Sequence, residues 1–250
     1  MNFSKEPFIV DKKLALALVD GRVSEEIEKN LVKRGIRLIK SIECRDTYSE
    51  VAYHPDISIF NCGDGKVVVC PNLYDDYKKI FKEYGIEAIK GETFISDKYP
   101  GNIAYNVCVV GNNIIHKYEH TDPVIKEYIE KRKMNIINVK QGYSKCSVCV
   151  VDDNSIITSD AGIHREVIKH GIDSLLIEPG EIELFGMNYG FIGGCSGMIS
   201  ENEIGFTGNI ERHSDYEIIN EFLTKRDKKA VSLGKEKLVD LGSIIPLATE

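Results

Sequence analysis

The chain lacks the basic excess of a nucleic-acid binder. Its 32 Lys and Arg are outnumbered by 39 Asp and Glu, for a formal net charge of −7. Binding to phosphates needs clustered Lys and Arg, so no nucleic-acid partner is expected, while a small cation suits the balance. Long apolar runs are missing as well. The run Leu14–Val19 falls far short of the ~20 residues of a membrane-spanning helix, and residues 1–13 lack the pattern of a signal peptide. No membrane partner is expected. The seven cysteines are odd in number and suggest no disulfide framework, which fits a reducing cytoplasm. Cys146 and Cys149 form a C-x-x-C inside a strand-like run, but no second pair and no paired His follow. Nor is there a compact His/Asp/Glu set, so neither a metal nor another cofactor is expected. No linker or low-complexity stretch divides the chain, and residues 1–250 read as one domain, with homo-oligomerisation left open.

What the chain does have is repetition. After the first 50 residues a pattern recurs every 40 to 50 residues or so, the length of a repeated supersecondary unit. Each copy runs apolar segment, polar turn, apolar segment, helical stretch, apolar segment. Copies start at His54, Tyr99, Gln141 and Gly190, and a shorter one spans Leu14 to Ile42. The first apolar segments are Asp56–Phe60, Asn102–Val110, Ser144–Val151 and Phe191–Ile199, all expected as strands. Turn and cap residues place helices at Tyr74–Tyr84, Pro123–Lys131, Gly162–His170 and from Ser214 to Lys225. A last strand-like run, Ser243–Ile245, is placed to complete the sheet begun by the short first copy. Strands alternating with helices give an α/β fold, and five ββαβ-like units can close into a ring with an axial site.

One strand stands apart. Gly190, Gly193, Gly194 and Gly197 interrupt the segment that holds Cys195, which weakens it as a strand. Two readings are open. A ligand approaches there and Cys195 is a nucleophile near backbone N–H donors, or the segment is a tight glycine contact with Cys195 as buried filler.

The order of these segments resembles the pentein superfamily of guanidino-group-modifying enzymes, which includes dimethylarginine dimethylaminohydrolases, arginine and agmatine deiminases and amidinotransferases. The stretches that carry the resemblance are His54 to Asp64, Pro100 to Ile103 with His120 to Pro123, Gln141 to Cys149, and Gly193 to Ser196. The resemblance implies a five-bladed, pseudo-symmetric α/β propeller with its active site in the central channel. It also implies a cysteine that attacks a guanidinium carbon, a fourth-unit histidine that serves the leaving amine and water, and carboxylates that hold the planar cation. Cys195 falls at the nucleophile position. Asp64 falls near a guanidine-binding acid, and Asn102 where members carry Asp or Asn. The family histidine should fall near Ser144, yet no His lies between His120 and His164.

Replacement candidates are few. His54 opens the second unit and is the first choice as acid/base, against a plain surface position ahead of Pro55. His116, His120, His164 and His213 are expected near outer helix starts, solvated or capping. Lys145 is expected on the wet side of its strand. The expected substrate set is therefore Cys195 and His54 as catalytic groups with Asp64, Asn102, Ser144 and Gly194 around the ligand. The implied activity is a Cys-dependent hydrolase or transferase acting on a guanidino or amidine compound. The alternative is a non-catalytic pentein that binds a ligand or macromolecule, as the ribosome anti-association initiation factor does.

Overall fold

A computed structural model describes residues 2–250. Chain order begins with β1 (Asn2–Phe3), β2 (Leu14–Val19), α1 (Glu25–Lys33) and β3 (Arg37–Lys40). The second unit has α2 (Pro55–Ser58), β4 (Ile59–Gly63), β5 (Lys66–Val69), α3 (Tyr74–Lys82) and β6 (Glu87–Lys90). The third has β7 (Cys108–Val110), β8 (Asn113–His116), α4 (Pro123–Lys131) and β9 (Asn135–Asn138). The fourth has α5 (Ser144–Ser147), β10 (Val148–Asp152), β11 (Ser155–Thr158), α6 (Ala161–Lys169) and β12 (Asp173–Leu176). The fifth has β13 (Ser196–Ser200), β14 (Glu203–Phe206), α7 (Tyr216–Thr224) and β15 (Lys229–Ser232), and β16 (Ile245–Thr249) ends the chain.

Every unit makes its own small sheet. The first strand pairs antiparallel with the second, as Ile59 with Val69, and a helix then carries the chain to a third strand parallel to the second, as Val67 with Ala88. The first sheet has the order β1-β16-β2-β3, so a C-terminal strand does take the first-strand place beside β2, but it runs Ile245–Thr249 and overlaps the expected run Ser243–Ile245 only at Ile245. The five long helices share one device. Each buries a pair four residues apart: Ile27 and Leu31, Tyr77 and Phe81, Ile125 and Ile129, Ile163 and Val167, Ile219 and Leu223. Such a pair lies on one helix face and packs against its sheet.

Burial is graded across each sheet. The first strands β4 and β16 are buried throughout, while the third strands β6, β12 and β15 are exposed at both ends. First strands of different units also touch: β7 with β10, β10 with β13, β13 with β16, and β16 with β4.

The first strands begin later than the apolar runs suggest. Residues 55–58 and 144–147 form the single helical turns α2 and α5, and residues 102–107 and 191–195 are turns and loop. Both parts of each run are buried, so the run carries no periodicity that tells turn from strand. Pro55, favoured at a helix start, is the one local signal. These lead-in turns hold the polar side chains described next.

Candidate active site

A cavity of roughly 340 Å³ opens beside these turns. Its polar floor is His54, Cys146 and Asp240, with Tyr48, Tyr143 and Ile57 as walls and Met187, Tyr189 and Phe191 towards the mouth. Three separate segments supply the floor: the turn into β4, the turn into β10 and the turn into β16.

Cys146 is held on both sides. Its thiol lies 3.1 Å from Asp56 Oδ2 and 3.2 Å from Oδ1, to which it donates. Asn106 Nδ2 donates to the sulfur at 3.1 Å. The same Asn106 side chain accepts from the backbone N–H groups of Lys145 and Cys146, which fixes the first turn of α5. Burial pushes the Cys146 thiol well above its ordinary pKa, and the carboxylates of Asp56 and Asp240 add to the rise. A cation brought to this floor would oppose both causes.

His54 is buried, yet neither of its ring nitrogens has a hydrogen-bond partner. Nδ1 lies 3.8 Å from Asp240 Oδ1 and Nε2 lies 3.9 Å from Asp20 Oδ2, both too long for hydrogen bonds. Asp20 is already satisfied by the guanidinium of Arg22, at 3.1 and 2.9 Å. Asp240 is not paired with any Lys or Arg among the described residues. It accepts from the backbone N–H groups of Phe191 at 2.9 Å and Gly242 at 3.0 Å. Burial raises its carboxyl pKa, and the nearby His54 opposes that rise. Gly242, at φ 63°, leaves room for the imidazole, since a Cβ there would collide with the side chain of His54.

Behind the thiol runs a second polar chain. Lys145 Nζ donates to Ser243 Oγ at 2.9 Å and to the Gly193 carbonyl at 3.2 Å, and Ser243 Oγ donates to Asp56 Oδ2 at 2.7 Å. Lys145 is thus buried against Phe8 and the lead-in turns, not on the wet side of a strand. The mistaken face follows from the helical turn: α5 sets aside the two-residue alternation of a strand.

The residues singled out from sequence are spread through the molecule. His54 lines the cavity. Cys195 is fully buried just ahead of β13, in an apolar cluster with Cys149 and Met198, and its thiol donates to the Ile192 carbonyl at 3.3 Å. Gly194 packs on the Asp240 carboxylate, where a Cβ would collide, so its smallness makes room for a protein group. Asn102 sits behind the wall, accepting from the Tyr143 hydroxyl at 2.9 Å. Ser144 bonds to the Gln141 carbonyl at 2.8 Å. Asp64 is in the β4–β5 turn, its side chain 62% exposed and ion-paired with Arg132. His116 is not solvated. It is buried, with Nδ1 2.7 Å from Thr121 Oγ1 and Nε2 3.0 Å from the Ile103 carbonyl.

Sequence reasoning gave Asp56 and Asp240 no role and set aside Cys146, as part of a C-x-x-C, and Lys145. No His/Asp/Glu set is compact in sequence, but in space one ligand atom each of His54, Cys146 and Asp240 lies within 4.8 Å of the others. The available signal was register: in units two and four and ahead of β16, polar residues stand just before the first strand, and these turns converge.

The sequence matches a family described as a family of unknown function (DUF6873) over residues 18–245. The chain belongs to that family. No curated protein matches it in sequence. Solved structures with the same fold are more informative for this DUF6873 member. An agmatine deiminase from C. jejuni with substrate bound superposes with a TM-score of 0.60 at 10% identity, covering 99% of this chain and 96% of that one. The inosamine-phosphate amidinotransferase of Streptomyces griseus gives 0.56 at 10% identity, covering 94% and 92%. DDAH from Pseudomonas aeruginosa, in complex with citrulline, gives 0.54 at 8% identity, covering 90% and 92%. The fold of this protein is therefore that of the pentein superfamily. No helix among the described residues is long and apolar enough to cross a membrane.

Proposed function

We propose that this protein is a cysteine-dependent enzyme acting on a guanidino or amidine compound, with Cys146 rather than Cys195 as the nucleophile. One observation carries the reading: in a pentein fold, the thiol that faces the cavity is Cys146, with His54 and Asp240 beside it. The five sheets are taken to close as a five-bladed propeller in one domain, a reading supported by the contacts between successive first strands.

In this reading a planar cation sits against Tyr48 and Tyr143, whose hydroxyls meet at 3.1 Å, and pairs with Asp240, a buried carboxylate without a Lys or Arg partner among the described residues. The aromatic walls suit a delocalised cation. Its charge favours the Cys146 thiolate, and the thiol proton moves toward Asp56. Sγ bonds to the guanidinium carbon, one C–N bond breaks, and the departing amine takes up the proton that Asp56 received, with His54 relaying it from the Asp56 carboxyl to the amine nitrogen. A second nucleophile then breaks the S–C bond and restores the thiol. Water makes the enzyme a hydrolase, and an acceptor amine makes it a transferase.

An alkylating agent that bears an amidinium group tests this. It should modify Cys146 at least roughly tenfold faster than any other cysteine, one pKa-sized step of discrimination, and Asp240→Asn should remove the preference. Peptide mapping that finds the label on Cys195, or evenly across the seven cysteines, would turn the reading to a non-catalytic binder.

A further inference from the structure

We propose that His54, Cys146 and Asp240 form a binding site for one divalent cation of the zinc class. The inference goes beyond the covalent mechanism and stands even if Cys146 never attacks a substrate. Three observations carry it. The first is the donor set: one thiol, one imidazole and one carboxylate, all buried, with ligand atoms within 4.8 Å of one another. Sulfur with nitrogen selects a borderline-soft cation over magnesium or calcium, which take oxygen ligands.

The second is the state of His54. Its side chain is 1% exposed and both ring nitrogens are unpartnered, a costly condition for a buried polar group. A metal held by Nδ1 satisfies one nitrogen at the face that looks on Asp240. The other nitrogen, Nε2, then carries its proton toward Asp20, the carboxylate–imidazole–metal arrangement that orients a ligating histidine. Metal bonds of about 2.0–2.2 Å in tetrahedral array put nitrogen and oxygen donors roughly 3.3–3.5 Å apart. Nδ1 and Asp240 Oδ1 stand at 3.8 Å, so a small side-chain movement closes that pair, and the Cys146 thiol, within 4.8 Å of both, must move in as well.

The third is charge and access. A neutral imidazole, a thiolate and a carboxylate sum to two negative charges, which a divalent cation cancels. Asp20 and Asp56 need no such partner, because Arg22 bonds the first and Ser243, itself bonded to Lys145, the second. The cavity supplies an entry path and a fourth position for water or a substrate atom, the open coordination of a reactive rather than a structural site. The metal and the substrate carbon would compete for the same sulfur lone pair, so metal-bound protein should resist alkylation at Cys146.

Titration of the full chain with Zn²⁺ by calorimetry, and with Co²⁺ by absorption, tests the site. The expected result is one ion per chain and a Co²⁺–thiolate band in the near ultraviolet. Cys146→Ser should abolish the band. His54→Gln and Asp240→Asn should each weaken affinity by at least roughly tenfold, the lower range seen for loss of even an outer-shell partner. Cys195→Ser should leave binding unchanged. If Cys146→Ser fails to fold, alkylation mapping of the wild type decides instead, with Zn²⁺ protecting Cys146 alone. Absence of binding at micromolar metal, a band that survives Cys146→Ser, or protection of a different cysteine would overturn the site. None of these readouts depends on turnover, so failure here leaves the labelling test of the catalytic reading intact.

Discussion

Buried charge next to the cavity depends on single hydroxyl and amide groups. Ser243 is the clearest case. Its hydroxyl joins Lys145 Nζ to Asp56 Oδ2, and its backbone sits at φ 77°, where few side chains other than glycine are found. Removing the hydroxyl leaves a buried ammonium short of an acceptor and a buried carboxylate short of a donor. Ser243→Ala should therefore cost about 1–3 kcal/mol, the penalty for stranding buried polar groups. Urea unfolding measures it, and a change within error of zero would mean that water replaces the hydroxyl. The same network shows why the site was hard to read from sequence. Cys146 belongs to a C-x-x-C whose other member, Cys149, points into the core, so the pair looks like strand filler. Asp240 and Ser243 lie in a tail with no motif around them. Only the neighbouring turns, distant in sequence, give these residues meaning.

At the scale of elements, legibility followed local chemistry. Helix α4 was expected at Pro123–Lys131 and is found there, because Asp122 caps it through Val124 N and Pro123 opens it. The long helices of units two, four and five agree within a residue or two at each end, as Tyr74–Lys82 does for Tyr74–Tyr84, while α1 had no bounds assigned from sequence. The lead-in turns were not legible, since they are buried as deeply as the strands they precede. They are tied to each other instead. His116, at the end of β8, bonds through Nε2 to the carbonyls of Ile103 and Gly142, at 3.0 and 3.2 Å, in the lead-ins of units three and four. Those bonds need a proton on Nε2 and by themselves favour the charged ring, but burial outweighs them. Burial lowers the His116 pKa from 6.5 to about 4. The unfolded chain therefore binds a proton between pH 6.5 and 4 that the folded chain refuses. Stability should fall as pH drops through that window, by about 3 kcal/mol in all, and flatten below it. His116→Gln should show a shallower loss over the same range in urea titrations at stepped pH. An unchanged slope would assign the effect to other groups.

At the scale of the molecule, the candidate site exists only when separate units are assembled. His54 and Asp56 come from unit two, Lys145 and Cys146 from unit four, and Asp240 and Ser243 from the segment that leads into β16. β16 in turn sits between β1 and β2, paired with both, and is buried along its whole length. It joins the end of the chain to its beginning, and it touches β13 and β4 as well. Burial of Ile245 and Leu247 alone is worth about 3–6 kcal/mol at ~1.5–3 per side chain, against a typical total stability of about 5–15 kcal/mol. A chain ending at Ile244 keeps every candidate site residue but loses this strand. It should lose cooperative unfolding, and with it the preferential alkylation of Cys146, because nothing else holds Asp240 and Ser243 against the turns of units two and four. Urea transitions followed by circular dichroism, with peptide mapping of alkylated cysteines, test both parts. Full retention of the unfolding midpoint by the shortened chain would show that the first sheet does not need its central strand, and that the site is assembled by the other units alone.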